Sequence, residues 1–361
     1  MSHNILFVFN RVPTSEKKGI WSECVSSKTV SAISMALREG GNQVFPLNAR
    51  NFEQMDKFLG HIPPIDLAFV IAEGLLDSPE TLYNGTGCAL IRTFLESRGI
   101  PSTHSPADKM EVCRNKALTY EILNQHGIPV PPNSRITFST PLQPQIAMVE
   151  QLIDYPLFIK PVAGGNSLGI DENSVVRNRR QLERRIATLA EELNYTEIIV
   201  EKYLEGQEYT VGILGNISKT VLPPIAFSLD TGIRTSHAKR KGLKAGEDLE
   251  LITCHDLRFF RLAELARRTF EAIGAADVLR LDIKANHDGQ LYVIDVNGTP
   301  SLSTSASLFL MARETGLTFI ELINLIVYEA MIRHGLTPGP KLEDIIVKCL
   351  GKLNAYRQEV A

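Results

Sequence analysis

The stretch VLRLDIKANHDGQLYVIDVNGTPS, running from Val278 to Ser301, limits what this chain can fold into more than any other. Two apolar-rich runs flank the turn residues Asn286 to Gly289, a pattern that predicts two strands joined by a hairpin. Side chains alternate along a strand. Arg280 and Asp282 therefore share one face of the first strand, Asp295 and Asn297 share one face of the second, and pairing can gather all four. Two carboxylates and an amide oxygen form a hard, all-oxygen donor set. Such a set suits Mg²⁺, which takes few carboxylates and fills its shell with phosphates, and a nearby guanidinium can stabilise charge on a transferring group. Solvated strands, or an Arg-Asp pair that only holds the hairpin, would explain Arg280-x-Asp282 alone. Asp295-x-Asn297, set between apolar residues and Gly-Thr-Pro and facing a second acidic strand, favours the metal.

Upstream, YPLFIKPVAGGNSLGI places Lys160 at the end of an apolar strand, ahead of Gly164, Gly165, Asn166, Ser167 and Gly169. Small residues let backbone N–H groups approach phosphate oxygens, with a lysine beside them. No Gly-Lys-Ser/Thr follows, so this is not a Walker A loop, and taken alone it reads equally as a hairpin turn. In IIVEKYLEGQEYTV, Glu201 closes one apolar strand and Glu208 opens the next, and the two are expected to pair as neighbours across a short Gly-containing turn. Lys202, Tyr203 and Leu204 between them can offer backbone groups to an adenine edge while the carboxylates take ribose hydroxyls; surface glutamates flanking a hairpin are the alternative. Lys116 lies in DKMEVCRNKALTYEIL, where a solvated helical lysine is the default.

These features sit in an α/β (α+β) chain. The first third alternates strand and helix: ILFVFN from Ile5, a helix from Glu23 to Glu39 stopped by Gly40-Gly41, VFPLN from Val44 and DLAFVIA from Asp66. That rhythm predicts a small parallel sheet covered on both faces. A helix is expected from Pro106 to His126, a charged one from Asn178 to Asn194, others over Leu257–Gly274 and Thr318–His334, and a separate C-terminal helix over Lys341–Ala361. With 361 residues, two or three domains are expected: 1–105, 106–215, 216–340 and a helical extension, 341–361.

Charge and cysteine content narrow the partners. A net charge of −3 and no long basic run exclude a nucleic-acid stripe, and the basic cluster Arg177 to Arg185, interleaved with Leu182, Ile186 and Leu189, reads as a solvated helix face. Five scattered cysteines without Cys-x-x-Cys fit a reduced, cytoplasmic setting, and Cys88 and Cys254 lack the neighbours a nucleophile needs. The eight histidines show no metal spacing. MSHNILFVFNRVP reads as a first strand, so no membrane is expected.

Taken in order, these stretches resemble the ATP-grasp superfamily, and within it the D-alanine D-alanine ligases. The likeness runs through LESRGIPSTHSPADKMEVCRNKALTYEILNQHGIPVPP, the glycine-rich loop, VEKYLEGQEYTVGILG and RLDIKANHDGQLYVIDVNGTPSL. It implies an N-terminal βαβ domain followed by two α+β subdomains that clasp ATP. Lys116, Lys160 and Gly165 would lie at the phosphates, Glu201, Lys202, Tyr203, Leu204 and Glu208 at adenine and ribose, and Asp282, Asp295 and Asn297 at Mg²⁺. Arg280 would stabilise the tetrahedral intermediate. It also implies a small carboxylate and an amino acid as substrates, joined through an acyl phosphate, and admits a homodimer.

Asp295 stands for the family's glutamate at the metal and Pro300-Ser301 for Pro-Gly, and the other departures fall on the substrate side. Asn166 precedes Ser167 where the dipeptide ligases pair two serines, Lys239-Arg240 stands for Lys-Tyr, and Ala306 stands for an acceptor-side serine. Glu73-Gly74 replaces His-Gly, and Glu23 is the candidate partner for the first substrate's amino group. The resulting expectation is a ligase that joins an amino acid to a small carboxylic metabolite, for example serine or threonine onto a mycosporine. A D-alanine D-alanine ligase is the alternative, and a non-catalytic nucleotide-binding module a third.

Overall fold

The computed structural model describes residues 2–165, 168–193, 197–227 and 249–360. The N-terminal third comprises β1 (Asn4–Phe9), α1 (Ser27–Glu39), β2 (Gln43–Asn48), α2 (Phe52–Leu59), β3 (Leu67–Val70) and α3 (Gly87–Glu96). The strands form a parallel sheet ordered β2-β1-β3. Ile5, Phe7 and Phe9 face α1 residues Ile33 and Leu37, while Leu6 and Val8 face Met55 of α2 and Ile91 and Leu95 of α3. Both faces of β1 are thus buried, as its unbroken apolar run requires. Helix α1 starts at Ser27 rather than Glu23, because the Ser26 hydroxyl caps it by accepting from Thr29 N at 3.1 Å. Gly19–Glu23 instead forms a short 3₁₀ turn that carries Glu23 toward the centre of the molecule.

The middle third holds α4 (Ala107–Arg114), α5 (Lys116–Gln125), β4 (Asn133–Thr137), α6 (Leu142–Leu152), β5 (Leu157–Pro161), β6 (Val175–Val176), α7 (Arg179–Leu193) and β7 (Glu197–Lys202). The single helix expected over Pro106–His126 is interrupted. Asn115 adopts an extended conformation, bridges Ala163, and caps α5 by accepting from Ala117 N and Leu118 N at 3.1 Å. An asparagine that bonds its own backbone competes with helix continuation. The strands form an antiparallel sheet ordered β4-β7-β5-β6, packed through Ile136, Ile159 and Val200 against Ile146 and Val149 of α6 and Leu182, Ile186 and Leu189 of α7.

The last third contains β8 (Glu208–Leu214), β9 (Thr220–Val221), β10 (Ile225–Phe227), β11 (Leu249–Leu251), α8 (Leu257–Ile273), β12 (Val278–Ala285), β13 (Leu291–Asn297), α9 (Ser307–Glu314), α10 (Phe319–Arg333) and α11 (Pro340–Val360). Its antiparallel sheet runs β11-β10-β8-β12-β13, with β9 beside β8. The expected pairing of β7 with β8 does not occur, since they belong to different sheets. Both strands are buried along most of their length, and a run without alternation carries no information about its partner. Residues 203–207 instead cross from one sheet to the other, ahead of the boundary placed after 215. The crossing is tied by Tyr203 N to Pro156 O (3.1 Å) and Gly206 N to Ala285 O (2.9 Å). A Cβ at Gly206 would lie 2.6 Å from Asn286 O, so only glycine fits there.

The C-terminal helix does not stand apart. Leu342, Ile346, Cys349 and Leu353 of α11 join the core shared by β1, α1 and α10. Among the described residues, no single helix is long and apolar enough to cross a membrane.

Candidate active site

Between the two antiparallel sheets, and roofed by the N-terminal segment around Glu23, lies a cavity of about 840 Å³. The β12–β13 ladder sets Arg280 opposite Asn297 and Asp282 opposite Asp295. The four residues singled out from strand alternation therefore do converge on one wall. Asp282 is buried and accepts from the Thr210 hydroxyl at 2.7 Å, with Arg280 Nη2 3.4 Å away. Asp295 faces Lys116 Nζ at 3.4 Å, and Asn297 Oδ1 accepts from Thr299 N at 2.9 Å. Among the described residues, no three His, Cys, Asp or Glu side chains gather as a metal cage. Two carboxylates and an amide are too few to enclose an ion without substrate oxygens, which is the coordination habit of Mg²⁺.

The ladder slips by one residue after Asp282, leaving Ile294 as the extra residue of a β-bulge. Its carbonyl, freed from regular pairing, accepts from both Lys160 Nζ and the Tyr120 hydroxyl at 3.0 Å. Lys160 also donates to Glu201 Oε1 (2.9 Å) and the Tyr120 oxygen (3.0 Å), so all three ammonium protons have protein partners. Glu201 is the charged partner of this ammonium. Tyr120 lies within 2.9 Å of Glu201 Oε2, and burial followed by that carboxylate holds its hydroxyl well above the usual phenol range.

Lys116, the first residue of α5, is not solvated: the break at Asn115 turns it into the cavity, where Nζ donates to Gly164 O at 3.1 Å. Burial lowers its pKa despite Asp295. At the crossing between sheets, Tyr203 stacks on Phe158 with centroids 6.4 Å apart, and Leu204 is buried. Lys202 turns its ammonium outward to Asp154 O and Tyr155 O. Glu208 sits 3.4 Å from Lys284 Nζ.

Glu23 reaches the cavity but is held by Arg114, with contacts of 2.9 and 3.3 Å. Arg114 Nη1 also lies 3.4 Å from Glu73. Burial opposes the guanidinium's charge, yet Glu23 and Glu73 outweigh it and hold the pKa well above its ordinary value. Burial pushes the Glu73 carboxyl up, and the Cys88 thiol donates to it at 2.7 Å. Burial and then Glu73 push that thiol up as well, so it is no nucleophile. Gly165 abuts this cluster: a Cβ there would run into Glu23 Oε1 and lie 2.7 Å from Arg114 Nη1. Ala306 caps α9 without a side-chain bond, beside a wall built by Thr299, Ser301, Ser303 and Ser305. Asn166, Ser167, Lys239 and Arg240 lie outside the described residues.

Sequence reasoning missed Arg114, Tyr120, Arg185 and Lys284. Arg185 is not part of a solvated face; it is buried and anchors the end of the glycine-rich turn through Gly169 O (2.8 Å), Ser174 (3.1 Å) and Asp171 (3.1 Å). Its position beside Leu182, Ile186 and Leu189 on one helical stripe was a usable signal. Nothing local marks Arg114 or Tyr120.

Two antiparallel sheets with their helices close on a nucleotide-sized cavity whose Asp-and-Asn wall faces Lys116, and they define an ATP-grasp ligase of the class that forms carbon–nitrogen bonds. The comparisons agree. A family model described as D-ala D-ala ligase C-terminus matches residues 122–328, and the chain belongs to that family. It is 26% identical to a D-alanine–D-alanine ligase of Ectopseudomonas mendocina, over 86% of this chain and 91% of that protein. It is 28% identical to one of Desulforudis audaxviator, over 86% and 94%. Among solved structures, the fold matches VanG D-Ala:D-Ser ligase from Enterococcus faecalis with a TM-score of 0.71 at 20% identity, covering 91% of this chain and 100% of that one. It also matches a Bacillus anthracis D-alanine–D-alanine ligase complexed with ATP, with a TM-score of 0.67 at 20% identity over 92% and 99%.

Proposed function

We propose that this protein is an ATP-dependent ligase of the D-alanine–D-alanine type, joining the carboxylate of one small amino acid to the amine of another. The observation that carries the reading is the register of β12 on β13, which brings Arg280, Asp282, Asp295 and Asn297 to one wall beside Lys116. A donor carboxylate attacks the terminal phosphate of ATP, giving an acyl phosphate and ADP; the acceptor amine then displaces phosphate. Phosphate leaves far more readily than carboxylate oxygen, which is why ATP is spent.

In this reading Asp282, Asp295 and Asn297 hold Mg²⁺, which when bound neutralises charge on the transferring group. Arg280 stabilises the oxyanion that forms as the amine attacks. Lys116, on the cavity floor with a pKa lowered by burial, lies at the phosphates, along with Gly165. Lys160 acts by holding Glu201 and Tyr120 in place, and the stretch 201–204 offers its edge to adenine. Glu208 takes the ribose hydroxyls, and Glu23, braced by Arg114, faces the donor's ammonium group. Five free cysteines, four of them buried, accord with the reduced cytoplasmic setting that belongs to this proposal.

The alternative of joining an amino acid to a small carboxylic metabolite, such as serine or threonine onto a mycosporine, rests on the departures at Asn166, Arg240 and Ala306. The relatives reported above favour the dipeptide ligase instead. ADP release with D-alanine alone, accompanied by a dipeptide in the mass spectrum, is the expected result. Silence with D-amino acids, and turnover when a small carboxylic metabolite is supplied with serine or threonine, would reverse the choice.

A further inference from the structure

Lys284 has no role in the ligase chemistry set out above. It lies on β12 two residues beyond Asp282, directly opposite Glu208 of β8 in the ladder, and is only 6% exposed. Its Nζ is 3.4 Å from Glu208 Oε2, and both side chains line the cavity. Burying an ammonium and a carboxylate is costly, and an apolar pair of similar volume would serve strand packing at least as well. The pair therefore does something that packing does not require.

The other end of the crossing between sheets has the same arrangement. Glu201, just before residues 203–207, is held by buried Lys160 from neighbouring β5 at 2.9 Å. Glu208, just after them, is held by buried Lys284 from neighbouring β12. Each carboxylate that brackets this segment has its own lysine, delivered by an adjacent strand. The ammonium is taken on Oε2, and a carboxylate has a second oxygen with which to accept from a ligand in the cavity that Glu208 lines.

We infer that Lys284 is a positioning residue for nucleotide recognition: it fixes the Glu208 carboxylate so that it accepts hydrogen bonds from the ribose hydroxyls and sets the preference for a ribonucleotide. This rests on the proposed nucleotide site, with Glu208 at the ribose. Without the ammonium, the carboxylate loses its anchor and its acceptor geometry, while the adenine edge and the phosphate end of the site are untouched.

The test is equilibrium binding of Mg·ATP and Mg·2′,3′-dideoxyATP by calorimetry, which needs no knowledge of the other substrates. Hydrogen bonds to a charged acceptor imply that the unaltered protein favours ATP by about tenfold or more. Lys284→Met and Lys284→Gln should both bind ATP with that preference reduced to about threefold or less, Lys284→Arg should restore it, and Glu208→Gln should lose it equally. Two neutral variants are used so that either folded one gives an answer, with thermal unfolding as the control. If Glu208→Gln loses the preference while the Lys284 variants keep it, the positioning role is overturned and the ribose assignment stands. If Glu208→Gln keeps it too, the ribose assignment falls and takes the role of Lys284 with it.

Discussion

Lys160, expected at the phosphates, is bonded to protein groups in this structure. Its ammonium is spent on Glu201, Tyr120 and Ile294 O, so its removal strands a buried carboxylate as well as weakening the nucleotide site. Lys160→Met should lower stability by about 3–5 kcal/mol in chemical denaturation, the usual consequence of breaking a buried pair, and raise the KM for ATP. An unaltered denaturation midpoint would mean that Glu201 is not dependent on this lysine. Asp295 and Asn297 are less entangled, being part-exposed at the cavity wall. Asp295→Ala and Asn297→Ala should each abolish Mg²⁺-dependent ADP release while far-UV circular dichroism and melting stay near those of the parent, since each removes one of few oxygen donors. A folded double variant with normal ADP release would take the metal assignment away.

At the scale of elements, breaks in regular structure place the chemistry. The interruption at Asn115 aims Lys116, the bulge at Ile294 supplies a carbonyl to Lys160, and the crossing at 203–207 joins the two sheets. The glycine-rich turn yields a prediction that separates this structure from a plain phosphate loop. A side chain at Gly165 collides with the Glu23 carboxylate and crowds Arg114. Gly165→Ala is therefore expected to raise the KM for the amino-acid donor several-fold more than that for ATP, read from steady-state ADP release with each substrate varied in turn. A loss confined to ATP would place the loop's constraint at the phosphates instead.

Across the whole molecule, a buried polar junction and one helix tie the first third to the last. His104 N donates to Asp277 Oδ2 at 2.7 Å, and Arg333 donates to His104 O at 2.9 Å and Asp277 Oδ2 at 2.9 Å. Burial, then Arg92 and Arg333, hold the His104 pKa well below 6.5. The unfolded chain protonates this histidine near pH 6.5 and the folded one does not, so the unfolded state gains protons, and stability falls, as pH drops below that value. His104→Asn, which tolerates the backbone φ of 67°, should flatten that acid limb by up to about 1.4 kcal/mol per pH unit relative to the parent. Parallel curves for the two proteins would exclude His104 as a contributor. Leu353 of α11 is 1% exposed in the core shared with β1 and α1. Leu353→Ala should cost about 2–5 kcal/mol in urea unfolding, and a cost near zero would show α11 to be a dispensable cover.

Strand alternation determined that Arg280 shares a face with Asp282 and Asp295 with Asn297, but the two faces become one wall only through the bulge at Ile294, which shifts the register by one residue. The helices expected over Leu257–Gly274 and Thr318–His334 form as Leu257–Ile273 and Phe319–Arg333, with Asp256 and Thr318 capping their starts and left-handed Gly274 closing the first. What tertiary structure alone decided is which buried strand pairs with which, and where each charge finds its partner. Strands β7 and β8 read alike in sequence and part into different sheets, because both are buried along nearly their whole length and such runs do not encode a neighbour. The pairs Glu23–Arg114, Lys160–Glu201 and Lys284–Glu208 join residues 41 to 91 positions apart, and a charge buried by folding takes its partner from whatever the packing brings within reach.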